Sequence, residues 1–243
     1  MLDMFFDPAS VAVIGASATP GKLGHDVLAN LQSSGYGGEL YPINPRGGEI
    51  RGIKAYASIL DVPGPVEMAV ILVPAAFVAG VLEESGKKGV KGAVIITAGF
   101  KEAGPEGAQM ERDLLEIAQR YGMRIIGPNC LGIIETGASM NASFAAATPE
   151  RGSIAFMSQS GALCTAILDH AVAEGIGFSH FVSLGNKADV DEVALMQAWA
   201  GDDDTNVIIG YIEGLRDGQE FIRVARETAR RKPVVAVKSG RTA

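Results

Sequence analysis

The stretch SVAVIGASATPGKLGH, residues 10–25, decides the fold. Its first five residues are a continuous, mostly β-branched apolar run, which suits a strand covered on both faces. Gly15, Gly21 and Gly24 then interrupt the run, with Ser17, Thr19, Pro20 and Lys22 among them, before a helical pattern begins. A strand that turns through glycines into a helix is the opening of a βαβ unit. Such a turn lets backbone N–H groups approach an anion, and the helix N-terminus adds partial positive charge. The guest this loop predicts is a phosphate or pyrophosphate.

Working outward, the rhythm repeats. ELYPI (39–43), MAVILV (68–73), GAVIIT (92–97) and MRIIG (123–127) read as further buried strands. After Pro105, the residues Met110, Leu114, Ile117 and Tyr121 fall at helical spacing and form one apolar stripe. Residues 135–152, ETGASMNASFAAATPERG, are small and polar without a clear period and read as a linker. A second series follows with SIAFMS (153–158), FSHFVSL (178–184), NVIIGYIE (206–213) and PVVAVK (233–238), separated by helices near 161–174, 190–200 and 217–231. The middle helix carries Val190, Val193, Met196 and Trp199, and Asp189 stands before Glu192 in the manner of a capping box. The expectation is two doubly wound α/β domains in tandem, spanning 1–134 and 153–243, with functional loops at the C-terminal strand ends. The second is expected to be truncated, because SGRTA follows directly on a strand, where the next loop and helix of an open sheet would begin.

With 243 residues, 47% hydrophobic and 20% charged, the chain has material for large cores, which excludes disorder and a small stapled scaffold. Its 31 glycines are nearly double the usual share of roughly 7%. Cys130 and Cys164 lack metal-binding or CxxC spacing, so no metal site and no disulfide framework is expected. No apolar run reaches the ~18 residues that span a bilayer, and MLDMFFDPAS lacks the basic segment followed by an apolar stretch that a signal peptide carries. The expected compartment is the cytoplasm. A net charge of −7 with scattered basic residues argues against nucleic acid as a partner.

The nicotinamide fingerprint requires G-x-G-x-x-G and an acidic residue after the second strand. Here Ser17 takes the place of the second glycine, and Asn44-Pro45-Arg46-Gly47-Gly48 follows the second strand. An Arg at that point suits a ribose carrying a phosphate, which leaves coenzyme A or NADP.

VAVIGAS, YPINPRGGEIRG, ILVPAAF, ITAGFKEAG, RIIGPNCLG, MSQSGAL, FVSLGNKADVD, YIEG and KPVVAVKSGRTA together resemble the α subunit, or N-terminal portion, of the NDP-forming acyl-CoA synthetases and, more distantly, the succinyl-CoA synthetase α subunit. The resemblance covers the chain in order. It implies a Rossmann-like CoA-binding domain followed by a flavodoxin-like ligase domain. In the first, Gly15, Ser17, Lys22 and Gly24 would hold CoA phosphates, and Arg46 would face the phosphorylated ribose. Val73 and Pro74 would pack on the adenine or pantetheine, while Thr97, Ala98, Gly99 and Asn129 would lie near the thioester. In the second, Ser160, Gly161 and Ala162 would cradle a phosphoryl group, and Glu213 would orient the family's phosphorylated histidine.

That histidine belongs to an SHTG-like loop expected beyond Ala243; His25, His170 and His180 do not match its position. Mg-nucleotide would bind an ATP-grasp domain or β subunit outside these residues. The resemblance therefore implies the CoA-binding portion of a ligase, inactive by itself, with CoA or acyl-CoA and the grasp unit as partners and a homo-oligomer open. Two alternatives are a regulatory CoA-binding module of a protein lysine acetyltransferase and an NADP-dependent oxidoreductase, although no hydride-transfer residues stand out.

Overall fold

The computed structural model describes residues 2–240, so the last three residues of the second expected domain lie outside the described residues. A short helix α1 (Asp3–Phe6) leads to β1 (Ser10–Ile14), α2 (Leu23–Ser33) and β2 (Glu39–Ile43). A hairpin of β3 (Gly48–Ile50) and β4 (Ile53–Ala55) follows, then β5 (Met68–Ile71), α3 (Ala75–Lys88), β6 (Gly92–Ile95), α4 (Pro105–Tyr121) and β7 (Arg124–Ile126). The first sheet runs β2-β1-β5-β6-β7, parallel throughout. Every residue of β1, β5 and β6 is buried, as a sheet with helices on both faces demands. The strand order reverses at β1, which puts a crevice at the C-terminal ends of β1 and β5.

The second sheet is built from β8 (Gly132–Glu135), β9 (Met140–Ser143), β10 (Arg151–Ser158), β11 (Phe178–Ser183), β12 (Val207–Ile212) and β13 (Val234–Lys238) in the order β13-β12-β10-β11-β8-β9. Its helices are α5 (Gly161–Glu174), α6 (Glu192–Trp199) and α7 (Gly218–Ala229). The strands from β13 to β11 are parallel, and the β8–β9 hairpin is added antiparallel at the edge.

That hairpin corrects the linker expected over 135–152. Met140, Asn141, Ala142 and Ser143 are all buried in a strand. The segment carries no apolar period because its polar groups satisfy one another: Ser143 Oγ donates to Asn141 Oδ1, and Asn141 Nδ2 donates to Thr148 Oγ1. Asn30 on α2 donates to the carbonyls of Ser143 and Ala145, so the hairpin of the second sheet is pinned to a helix of the first. A boundary at residue 134 therefore cuts through β8.

Two helical expectations also shift. The buried face of α4 is Gly107, Glu111, Leu114 and Ala118, whereas Met110, Ile117 and Tyr121 are half-buried. The rotation brings the Glu111 carboxylate to Asn186 Nδ2 at 2.8 Å. At α6 the cap is Asp191, whose side chain accepts from the Ala194 amide, and Val190 precedes the helix. Asp189 serves another purpose. Its two oxygens take Nε and Nη2 of Arg124 at 2.7 and 3.0 Å, and one also accepts the Ile125 amide at 2.9 Å.

A single buried cluster runs from Leu2, Phe5 and Val11 through Val94 to Val182, Leu195 and Trp199, so the two sheets share a core. Among the described residues, no helix is long and apolar enough to cross a membrane. Asp189→Ala removes a bidentate partner and an amide acceptor at this junction. The expected loss is about 2 kcal/mol, read as a lower urea midpoint with an unchanged slope.

Candidate functional site

The turn after β1 is shaped by backbone bonds. Gly15 N and Ala16 N both donate to Ile43 O, and Asn44 Nδ2 donates to Ala16 O, which ties the ends of β1 and β2 together. Ser17 Oγ accepts from Thr19 N, and Lys22 stands exposed as the N-cap of α2. Gly24 has a different position from the one expected of a phosphate-facing glycine. It is buried, and a Cβ there would lie 2.0 Å from Gly15 O, so its lack of a side chain is what lets α2 reach the turn. Arg46 is exposed at the end of β2, its amide donating to Asn44 Oδ1 at 2.9 Å.

Val73 and Pro74 end β5, with Pro74 as the N-cap of α3. Thr97 Oγ1 donates to Val73 O at 2.7 Å, and Asn129 N donates to Thr97 O at 2.9 Å, linking three neighbouring strand ends. Thus Gly15, Arg46, Val73, Thr97 and Asn129 all lie along one sheet edge.

Across from this edge is the strand–helix turn of the second sheet. Ser160 is the N-cap of α5 and its hydroxyl accepts the Leu163 amide at 3.3 Å. Gly161 and Ala162 form the exposed first turn, where amides have no intrahelical acceptor. A cleft of about 410 Å³ joins the two halves, lined by Thr97, Ala98 and Asn129 on one side and Gly161 and Ala162 on the other. Leu23, Phe144 and Thr165 also line it, and nothing in their sequence pattern marked them. Glu213 is not part of this lining. It stands exposed just past β12, the strand beside β10, and so next to the Ser158–Ala162 turn.

Cys130 borders the cleft, and burial pushes its thiol up to about 12; burial likewise takes Cys164 up to about 11. Neither offers a thiolate near neutral pH. His180 is buried, with Nε2 3.0 Å from Asp202 Oδ2 and its ring stacked on Trp199, far from a nucleophile's exposure. Among the described residues, no group of three or more His, Cys, Asp or Glu is arranged to hold a metal ion.

The loop Thr97–Gly99 is held by groups that sequence reasoning passed over. Glu102 Oε1 accepts the Gly99 and Phe100 amides, and Glu102 Oε2 accepts Asn186 Nδ2 at 2.6 Å. Asn186 is buried, and two carboxylates, Glu102 and Glu111, face its nitrogen. Its oxygen therefore points the other way, to Asn129 Nδ2 at 3.4 Å. Burial raises the Glu102 carboxyl, but the bonds from Asn186, Gly99 and Phe100 together outweigh it and leave it below its usual value.

Fold and cleft together define a two-sheet α/β protein in which loops at the strand ends of both sheets line one cleft. Residues 9–136 match the family described as CoA binding domain, and residues 151–243 match the succinyl-CoA ligase like flavodoxin domain. The chain is 51% identical over 242 residues to the ADP-forming acetate–CoA ligase II subunit alpha of Pyrococcus furiosus, covering 100% of this chain and 52% of that one. It is 50% identical over 241 residues to the ADP-forming acetate–CoA ligase I of Archaeoglobus fulgidus, covering 99% of this chain and 35% of that one. An acetyl-coenzyme A synthetase 1 of Ca. Korarchaeum cryptofilum, solved with phosphate and ADP, superposes with a TM-score of 0.96 at 45% identity, covering 100% of this chain and 52% of that one. The chain belongs to the NDP-forming acyl-CoA synthetase family, matching its CoA-binding and flavodoxin-like domains. It spans about half the length of the Pyrococcus and Korarchaeum proteins and about a third of the Archaeoglobus one.

Because the Glu102 carboxyl is lowered by folding, its contribution to stability is full above the ordinary carboxylate range and is lost as pH falls through its lowered value. Glu102→Gln should be less stable than wild type at neutral pH, with the gap closing in acid. Urea unfolding across that range checks this; a gap that stays constant contradicts it.

Proposed function

We propose that this chain is the CoA-binding and phosphoryl-site portion of an ADP-forming acyl-CoA synthetase. The observation that carries the reading is the shared cleft, in which Thr97, Ala98 and Asn129 of the CoA-binding half face the Gly161–Ala162 turn of the other. A thioester carbonyl delivered along the first sheet would there meet a phosphate held by helix-terminal amides. Phosphate attacks the acyl carbon, the CoA thiolate leaves, and an acyl phosphate forms. Its phosphoryl group then passes to an imidazole, releasing the carboxylic acid, and from there to ADP. Splitting the transfer in this way carries the thioester's energy through a covalent intermediate.

The roles proposed for the residues are those the family resemblance implies, supported by their place along the strand ends. The Gly15–Lys22 turn takes the diphosphate, with Gly15, Ser17 and Lys22 at the ligand and Gly24 behind them. Arg46 takes the phosphate on the ribose, and Val73 and Pro74 flank the adenine or pantetheine. Gly99 shapes the loop beside the thioester, and Ser160 supports the phosphoryl turn. Glu213 orients the imidazole, which comes from outside these residues; so does the Mg-nucleotide site, in an ATP-grasp domain or β subunit. The enzyme is assigned to the cytoplasm. The relatives reported above are ligases, which favours this reading over a lysine acetyltransferase module or an oxidoreductase.

Isothermal titration with CoA and with dephospho-CoA tests the assignment. CoA should bind more tightly, and Arg46→Ala should erase the difference, at a loss of roughly tenfold for CoA from one charge-assisted contact of about 1.5 kcal/mol. Equal binding of the two ligands by wild type, or binding of neither, overturns the role of Arg46.

A further inference from the structure

Gln159 links the last residue of β10 to the N-cap of α5, and its carboxamide makes four hydrogen bonds. Its Oε1 accepts the amides of Glu213 and Gly214 at 3.1 and 3.0 Å. Its Nε2 donates to Gly214 O at 2.9 Å and to Glu192 Oε2 at 3.3 Å. A primary carboxamide has two N–H donors and one oxygen with two lone pairs, so the group is saturated. Its orientation is dictated from behind. The Glu192 carboxylate is only an acceptor, so nitrogen must face it and oxygen must face the two amides.

Glu192 is buried, with 2% of its side chain exposed, and Lys187 Nζ lies 2.9 and 3.0 Å from its two oxygens. Lys187 Nζ also donates to Gly214 O, and the Arg216 guanidinium donates to the carbonyls of Lys187 and Ala188. Lys238 Nζ adds a bond to Glu213 O at 2.8 Å. A buried ion pair is weak as a source of stability, since desolvation offsets its attraction. Here it aims an amide.

Among the described residues, no side-chain bond joins the Glu213 carboxylate to the Ser160–Ala162 turn; the backbone ladder of β10 and β12 ends at Ser158 and Tyr211, with Gln159 N donating to Tyr211 O at 3.2 Å, and past it the Gln159 carboxamide links the two segments. We propose that Gln159 is a positioning residue for the phosphoryl site, fixing Glu213 against the Gly161–Ala162 amides, with the Lys187–Glu192 pair setting the direction of its amide. The proposal rests on the reading of Glu213 and this turn as the phosphoryl site.

The test uses the enzyme containing this chain together with its nucleotide-binding subunit or domain. In Gln159→Leu, kcat for ATP formation from acyl-CoA, phosphate and ADP should fall on the order of 10²-fold, the scale set by a misplaced catalytic group. KM and calorimetric affinity for CoA should stay within about twofold, because the CoA contacts assigned above lie on the other sheet. Gln159→Glu should be as impaired, with two carboxylates opposed. The double variant Gln159→Glu/Glu192→Gln should recover at least about tenfold of that loss, since a carboxamide at position 192 then donates to the carboxylate at position 159, whose other oxygen keeps the Glu213 and Gly214 amides; the bond to Gly214 O stays broken, so the recovery is partial. Hydrogen exchange at those two amides should quicken in Gln159→Leu and slow again in the double variant.

Two results overturn the positioning role: a Gln159→Leu kcat within about threefold of an active wild type, or no change of exchange at the two amides. A variant that fails to fold is decided by the double variant, whose failure to recover counts against the proposal. A wild-type enzyme with no ligase activity defeats the functional reading instead, and the exchange result still judges the clamp.

Discussion

Between β11 and α6 the chain leaves the second sheet and lies antiparallel along the end of β7. The amides of Asn186, Ala188 and Val190 donate to the carbonyls of Pro128, Gly127 and Ile125. Gly185 starts this segment at φ 53°, and a Cβ there would lie 2.3 Å from Pro128 O. Only glycine admits both that conformation and that approach. Successive side chains then divide the work: Asn186 turns to the first half, Lys187 to the second, and Asp189 back to Arg124. These contacts hold the strand ends of the two sheets against each other, together with the Asn30 bonds to the hairpin and the shared core.

The cleft is accordingly made of backbone more than of reactive side chains. Exposed amides at the start of α5, glycine turns and strand-end carbonyls leave few groups that could act as general acids or bases. The polar side chains beside it work one layer back. Glu102 grips the Gly99 loop, Gln159 grips the Glu213 turn, and each is oriented by a partner with fixed hydrogen-bonding character.

The N-terminal helix shows how far the halves are merged. Phe6 lies 4.8 Å from the His180 ring and 6.1 Å from that of Trp199, while Phe5 is fully buried near Gly92. Phe6, on a helix that precedes the first sheet, thus packs against the second. His180 completes the contact with Asp202 on one nitrogen and Glu135 3.8 Å from the other. Burial raises the Glu135 carboxyl, against the pull of the Ala138 and Gly137 amides and of His180.

The sequence by itself determined the parallel strands of the two sheets and their ends, and it singled out Thr97, Ala98, Asn129, Gly161 and Ala162 among the residues along the cleft. Continuous β-branched runs punctuated by glycine and proline admit few alternatives to buried parallel strands, and strand ends in such sheets have a fixed functional edge. It could not show the β8–β9 hairpin, whose Asn141 and Ser143 are buried through bonds to each other and to Thr148 rather than through apolar pattern. It also misassigned Asp189, since spacing to Glu192 is local while the partner, Arg124, is brought near only by folding. The tertiary roles of Gln159, Glu192, Lys187, Asn186 and Glu102 were hidden for the same reason. Each is an ordinary polar residue in its own neighbourhood, and its role comes from saturated hydrogen bonds to groups distant in the chain. Tertiary structure decided those pairings because a buried carboxylate or carboxamide is tolerated only where complementary donors and acceptors converge on it.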